Sequence, residues 1–265
     1  MRDKAAGRYP DWESFTITPE AADGPVAFCA DLSPDSVLSA CRHGIFPFPA
    51  PDEYARDINE FRYEDQVSDG VIGLVGSTDD DPYWVGWWSP DPRPVIKVCR
   101  VHLGRNVRRQ LRRGGEETTA NDSFLRVAEE CRAGREPRWL TDTLLGSLLR
   151  LHEAGWAHSI EVWQDGDLIA GAIGIGVGVA LSGDSIFSRR PDAARIAVAD
   201  MAARFADAGG ALIDAQWDSP FLRSLGAEPM PRDHYLSLLA GPAERRALPR
   251  QRLLARRLLG SVQGG

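Results

Sequence analysis

Residues 157–188 read AHSIEVWQDGDLIAGAIGIGVGVALSGDSIFS, and this stretch decides the fold. His158–Trp163, Leu168–Ile175 and Val179–Ser185 are apolar runs of strand length. Asp165-Gly166 between the first two is a strong two-residue hairpin signal, because both positions must accept positive φ. Gly171, Gly174, Gly176, Gly178 and Gly183 do not form a phosphate loop. They fall at mostly even spacing inside strand-like sequence, and no Gly-Lys-Ser/Thr follows. Glycine at alternate strand positions instead lets a substrate or another backbone come close.

Working outward, Thr141–Gly155 reads as a helix before these strands and Pro191–Ala208 as an alanine-rich helix after them. Gly209-Gly210 stops the second helix. Ala211–Gln216 follows as a short buried strand, and Pro231–Leu239 as a helix. Upstream, Gly104–Arg113 and Asp122 or Ser123 to Ala133 read as helices, with a strand at Val95–Val101. Ser33-Pro34 opens a helix that Gly44 closes: serine caps it and proline fits its first position. Gly44–Pro49 reads as a rigid apolar turn, Pro51–Gly86 as an acidic loop or long insert, and residues 1 to about 27 as polar and irregular. The pattern gives an α+β fold with a mixed sheet. The domain boundary is expected near His102, giving domains 1–102 and 103–265. The arginine-rich tail (Arg245, Arg246, Arg250, Arg252, Arg256, Arg257) reads as a solvated or disordered end.

The chain has 265 residues and a net charge of -7. It can bury a real core without staples. Cys29, Cys41, Cys99 and Cys131 lack a C-x-x-C pair, which fits reduced structural thiols. No apolar run has membrane-span length, and no signal peptide is evident. A cytoplasmic monomer without a membrane partner is expected.

The negative total hides a positive stripe. Arg105, Arg108, Arg109, Arg112 and Arg113 recur at i, i+3, i+4, i+7 and i+8, so a helix puts all five on one face. Phosphates would relieve their mutual repulsion, and arginine binds phosphate bidentately; the plain alternative is a solvated face. In Leu212-Ile213-Asp214-Ala215-Gln216, a strand would project Asp214 and Gln216 together. The carboxylate could then orient an amide that accepts a hydrogen bond from an amine, or both could be solvated at a strand end. Asp184, after Gly183, could bind an ammonium group or cap the next helix. Trp84, Trp87, Trp88 and Trp139 are core residues or a stacking platform for a nucleobase. The five histidines lack metal-ligand spacing.

Several ordered motifs together carry a family resemblance. They are Asp31-Leu32-Ser33-Pro34, Gly44-Ile45-Phe46-Pro47, Trp87 to Arg93, Leu151 to Gly155, Ala157 to Trp163, Ser185-Ile186-Phe187-Ser188, Leu212 to Gln216 and Ser224-Leu225-Gly226-Ala227. On them the chain resembles the leucyl/phenylalanyl-tRNA–protein transferases over roughly Asp31 to Leu239. The resemblance implies a small N-terminal α/β domain and a C-terminal domain like the Gcn5-related N-acetyltransferases, with no metal or other cofactor. It implies an aminoacyl-tRNA donor, held by the basic helix Arg105–Arg113. It also implies transfer to a protein N-terminus, with Asp214 polarising Gln216 and Gln216 helping to deprotonate the acceptor amine. A tryptophan at the 3′ adenosine falls on Trp139, and another near the site on Trp87 or Trp88. The amino-acid pocket falls on Ala172, Ile186, Val198 and Met201, with Ile213 and Ser182 beside the substrate.

The chain departs from the family where amino acid and acceptor should sit. Gly-Glu-Ser-Met-Phe becomes Gly183-Asp184-Ser185-Ile186-Phe187, which draws the carboxylate back by one methylene. Pocket positions are smaller, and each lost methylene alters discrimination by about 1–3 kcal/mol. Transfer to a small-molecule amine, hydroxylamine or hydroxyl acceptor, with Ser182 and Asp184 facing a small polar partner, therefore stands beside transfer to protein. A catalytically weak tRNA-binding protein is a third reading, and acyl-CoA transfer ranks last for want of a pyrophosphate loop.

Overall fold

The computed structural model describes residues 10–19, 24–134 and 138–261. Parts of the irregular N-terminal stretch, residues 1–9 and 20–23, lie outside the described residues. The chain divides into two compact units. The boundary expected near His102 falls instead at Asp91/Pro92, and residues 138–148 return to the first unit.

The first unit carries β1 (Ala27–Phe28), α1 (Pro34–Arg42), β2 (Phe46–Pro49), α2 (Glu53–Ser68), β3 (Gly73–Leu74) and β4 (Val85–Trp88). Its sheet runs β2-β4-β1-β3. Ser33 caps α1, its hydroxyl accepting from Ser36 N, with Pro34 in the first turn. The expected turn at Gly44–Pro49 contains a strand, β2. Pro47 and Pro49 concealed it, and it is tolerated because β2 is an edge strand that needs few N–H donors. The expected loop over Pro51–Gly86 contains the 16-residue helix α2, capped by Asp52 Oδ1 on Ala55 N at 2.8 Å. Within α2 only Tyr63 is buried, so no apolar periodicity marked it.

The second unit is built on β5 (Arg93–Lys97), α3 (Arg105–Arg113), β6 (Glu117–Ala120), α4 (Phe124–Arg132), the end of α5 (Asp142–Glu153), β7 (Ala157–Gln164), β8 (Asp167–Val177), β9 (Ala180–Ser182), β10 (Ser185–Ser188), α6 (Ala193–Asp207), β11 (Leu212–Asp214), α7 (Pro220–Ser224), β12 (Glu228–Met230), α8 (Arg232–Leu239), β13 (Leu253–Leu254) and α9 (Leu258–Ser261). The boundary correction follows from pairing: β5 joins β11 and β12 in the large sheet. That sheet runs β12-β5-β11-β9-β8-β7-β6-β13, with β10 also on β8. β9 and β11 are parallel, while β7, β8 and β10 are antiparallel neighbours, so the sheet is mixed and the fold α+β. Asp165 and Gly166 both take positive φ, 53° and 86°, as the hairpin signal requires.

β6 escaped the sequence reading because Glu117-Thr118-Thr119-Ala120 is polar, yet Thr118 and Thr119 are buried. Their hydroxyls donate to the buried carboxylates Asp200 and Glu161. The alanine-rich α6 covers one face of the sheet, bringing Ala193, Ile196, Ala197, Met201 and Phe205 against Ile160, Ala172 and Leu181. The tail is no loose end. Buried Arg204 donates to the carbonyls of Pro249 and Gln251, and β13 pairs with β6. Among the described residues no helix is long and apolar enough to cross a membrane.

Candidate active site

The arrangement of β8, β9, β10 and β11 makes the candidate site. β10 pairs with Ala170–Ile173 of β8, and β9 pairs with Gly176–Val177 farther along the same strand. Gly183 and Asp184 connect these two partners. Gly174 lies between them, where a Cβ would come within 1.7 Å of the Ser182 carbonyl oxygen. This position therefore demands glycine. β11 runs parallel to β9 and registers Ser182 against Asp214. The pairs Ser182/Asp184 and Asp214/Gln216 thus reach the same end of the sheet.

Asp214 is 1% exposed and fully engaged. Arg93 Nε donates to its Oδ1 at 2.8 Å and Arg93 Nη2 to its Oδ2 at 2.6 Å. The Tyr235 hydroxyl donates to Oδ2 at 2.9 Å, and the Gln216 backbone N–H to Oδ1 at 2.9 Å. The Arg93 guanidinium also lies 4.9 Å from the Tyr235 ring centre. Sequence reasoning missed both partners. The signal for Arg93 was a charge between Pro92 and Pro94 at the start of an apolar strand, since a buried arginine requires a carboxylate. Tyr235 comes from α8, and nothing local links it to Asp214.

The expected pairing of the Asp214 carboxylate with the Gln216 amide is not what the chain makes. The strand ends at Asp214, and Gln216 takes a left-handed φ of 57°, so simple alternation does not govern its side chain. Gln216 Nε2 donates instead to Asp184 Oδ1 at 2.7 Å. The Ser182 hydroxyl donates to the same oxygen at 2.6 Å and accepts from Ile175 N at 3.0 Å. Ser182 thus donates its hydroxyl hydrogen to Asp184. Asp184 does not cap the following helix, whose cap position is Asp192. Burial pushes the Asp184 carboxyl up to about 7, helped by the nearby Asp214 charge and opposed by the Ser182 and Gln216 hydrogen bonds. Among the described residues no hydrogen bond reaches Asp184 Oδ2. The result is a near-neutral acid–base group beside an amide whose Oε1 remains available as an acceptor.

The residues expected to line the amino-acid pocket belong to the main hydrophobic core of the second unit. Ala172, Val198, Met201 and Ile213 lie in one buried cluster, and the partly buried Ile186 packs on it. Arg105, Arg109, Arg112 and Arg113 are exposed on α3 and Arg108 is half-buried, while Val107 and Leu111 face the core. Among the described residues no carboxylate forms an ion pair with these five arginines.

In the first unit Trp87 is fully buried. Its Nε1 donates to Cys29 O at 2.8 Å, and its ring centre lies 4.6 Å from that of Trp12. This indole belongs to the core and offers no stacking surface, which corrects the substrate role expected for it. Trp88 is half-buried on β4. Trp139 is half-buried and stacks on Phe48 at 6.3 Å with an interplanar angle of 12°.

Comparison with known proteins agrees with the resemblance read from the motifs. The family model for leucyl/phenylalanyl-tRNA protein transferase matches residues 95–240. The leucyl/phenylalanyl-tRNA–protein transferase of Thiobacillus denitrificans is 34% identical, the alignment covering 89% of this chain and 90% of that protein. The corresponding protein of Aromatoleum aromaticum is 37% identical over 89% of this chain and 87% of its own length, and that of Myxococcus xanthus 37% over 84% and 85%. Among solved structures, a GCN5-related N-acetyltransferase from Kribbella flavida aligns with a TM-score of 0.32 and 14% identity, over 53% of this chain and 55% of that one. With identities above a third across most of both chains, and the site motifs inside the matched region, the chain belongs to the leucyl/phenylalanyl-tRNA–protein transferase family.

Proposed function

We propose that the protein moves leucine or phenylalanine from the 3′ end of a charged tRNA to the N-terminal amine of a protein, with Asp184 and Gln216 managing the proton. The observation that carries this reading is the Asp184–Gln216 hydrogen bond, together with a carboxyl held near neutrality. Gln216 Oε1 accepts a hydrogen bond from the incoming amine and orients its lone pair toward the ester carbonyl. The amine attacks that carbon, forming the C–N bond, and Asp184 takes the proton. Collapse breaks the bond from the carbonyl to the 3′ oxygen of the ribose, and the proton passes to that oxygen. The ester is already activated, so positioning supplies much of the acceleration. Asp214 serves as the anchor of this pair and not as its base, because a guanidinium, a phenol and a backbone N–H saturate its oxygens.

The arginines of α3 supply the contact to the tRNA backbone. The relatives are named for a protein acceptor, and this favours a protein over the small molecules that the pocket substitutions first suggested. The assembled pair speaks against a merely tRNA-binding role.

The test offers tRNA charged with radiolabelled leucine or phenylalanine to a peptide with N-terminal arginine. Label appears on the peptide with the native protein and falls by at least roughly a hundredfold in Asp184→Asn, the usual scale of general acid–base catalysis. No label from either donor refutes the function. Undiminished transfer by Asp184→Asn refutes the role given to that carboxylate.

A further inference from the structure

The C-terminal segment beyond Ala240 lies outside the region matched by the family model, yet it is fastened along the second unit. Arg245 Nη1 donates to Ala154 O at 2.6 Å, and Arg246 donates to the carbonyls of Gly178 and Ala208. Arg204, with no exposed surface, holds the backbone at Pro249 and Gln251. Leu253 and Leu254 pair with Thr118 and Glu117, and Ala255 N donates to Glu116 O at 2.8 Å. Arg257 closes the strap on buried Asp200.

These fastenings bring the short turn Ala255–Arg257 against α3. Ala255 and Leu258 share a buried cluster with Val107 and Leu111 of α3. The carboxylate of Glu116, whose carbonyl receives the strap, accepts from Gln110 of α3 at 2.8 Å, so the strap and the helix end are tied at one residue. The arginines of the strap then divide by use. Arg245, Arg246 and Arg257 are spent on carbonyls and a buried carboxylate. Arg252 pairs with Glu117 at 3.2 Å and lies 5.2 Å from the Trp163 ring centre. Arg250 and Arg256 are exposed, and no carboxylate among the described residues pairs with either; of these two, Arg256 lies in the turn that packs against α3.

Arg256 thus adds a cation on the turn packed against the helix that carries five others, and like charges on packed elements repel. A polyanion would relieve that repulsion. The fixed backbone means that little chain entropy is lost when Arg256 meets a phosphate, unlike an arginine on a loose tail. Guanidiniums on two packed elements also match successive phosphates better than a single helix face can.

We propose that Arg256, held beside α3 by the fastened C-terminal strap, contacts the phosphate backbone of the tRNA and extends the surface made by Arg105–Arg113. This rests on the tRNA-dependent function proposed above.

The test measures binding of uncharged tRNA across a salt series for the full-length protein, Arg256→Ala, Arg256→Lys and, as a reference, Arg109→Ala. Each lost phosphate contact should lower the slope of log K against log salt by about 0.7–0.9. A fall of that size in Arg256→Ala, with the slope kept in Arg256→Lys and the melting temperature of both unchanged, supports the contact. An unchanged slope in Arg256→Ala while Arg109→Ala lowers it overturns the inference and leaves the α3 reading intact. Unchanged slopes in both overturn the reading of α3 as well.

Discussion

Removing the Arg93 guanidinium by Arg93→Met leaves Asp214 buried at 1% exposure with only Tyr235 and the Gln216 N–H to satisfy it. Breaking one side of a buried ion pair costs about 3–5 kcal/mol, whereas replacing both sides by apolar groups is often close to neutral. The remaining two hydrogen bonds put Arg93→Met near the lower end, about 3 kcal/mol. For a unit of this size that corresponds to a drop in Tm of roughly 6–12 °C. Asp214→Leu should cost a similar amount, because it strands the Arg93 cation. The double variant Arg93→Met/Asp214→Leu should be more stable than the sum of the single effects by at least about 2 kcal/mol. Urea unfolding followed by tryptophan fluorescence gives all three values. The two variants that lack the Asp214 carboxylate should transfer poorly, since Gln216 keeps its left-handed backbone only while Asp214 holds its N–H. Strict additivity would refute the reasoning, and so would full transfer activity in the double variant. Either result would mean that Asp214 does not act as an anchor neutralised by Arg93.

Ser182→Ala removes a hydrogen bond that favours ionised Asp184, so its pKa should rise above about 7. Transfer needs the carboxylate form; the rate should therefore climb with pH and level off, with an inflection near 7 that moves upward in this variant, as a pH–rate profile at saturating peptide will record. Changing Arg105, Arg108 and Arg109 together to alanine should reduce the salt slope of tRNA binding by about 2–3, and a fluorescence titration across salt checks it. Gly174→Ala should lower both the melting temperature and the transfer rate, since the added Cβ would stand 1.7 Å from a backbone oxygen. Gly176→Ala, with 3.5 Å to the nearest atom, should be tolerated, and thermal melts of the two variants compare them directly.

Local chemistry in the chain determined a good deal by itself. Hydrophobic runs and the Asp165-Gly166 turn specified β7 and β8, because alternation and positive φ are properties of neighbouring residues. The arginine spacing put the α3 cations on one face for the same reason. Ordered motifs were enough to indicate the family, and the residues Asp184, Asp214 and Gln216 were all visible as candidates. Elements that depend on partners far along the chain were not legible. β6 looks polar until Asp200 and Glu161 receive its hydroxyls, and β2 looks like a turn until its edge position excuses two prolines. The fastened strap looked like a free tail because its anchors, Arg204 and Asp200, lie some fifty residues away. Which carboxylate holds the Gln216 amide could not be read from spacing. Asp214 and Gln216 are two residues apart, which suggested their side chains pair. Tertiary structure commits Asp214 to Arg93 and Tyr235 and gives the amide to Asp184, because a buried carboxylate takes the strongest donors the fold brings to it, and only the fold determines which those are.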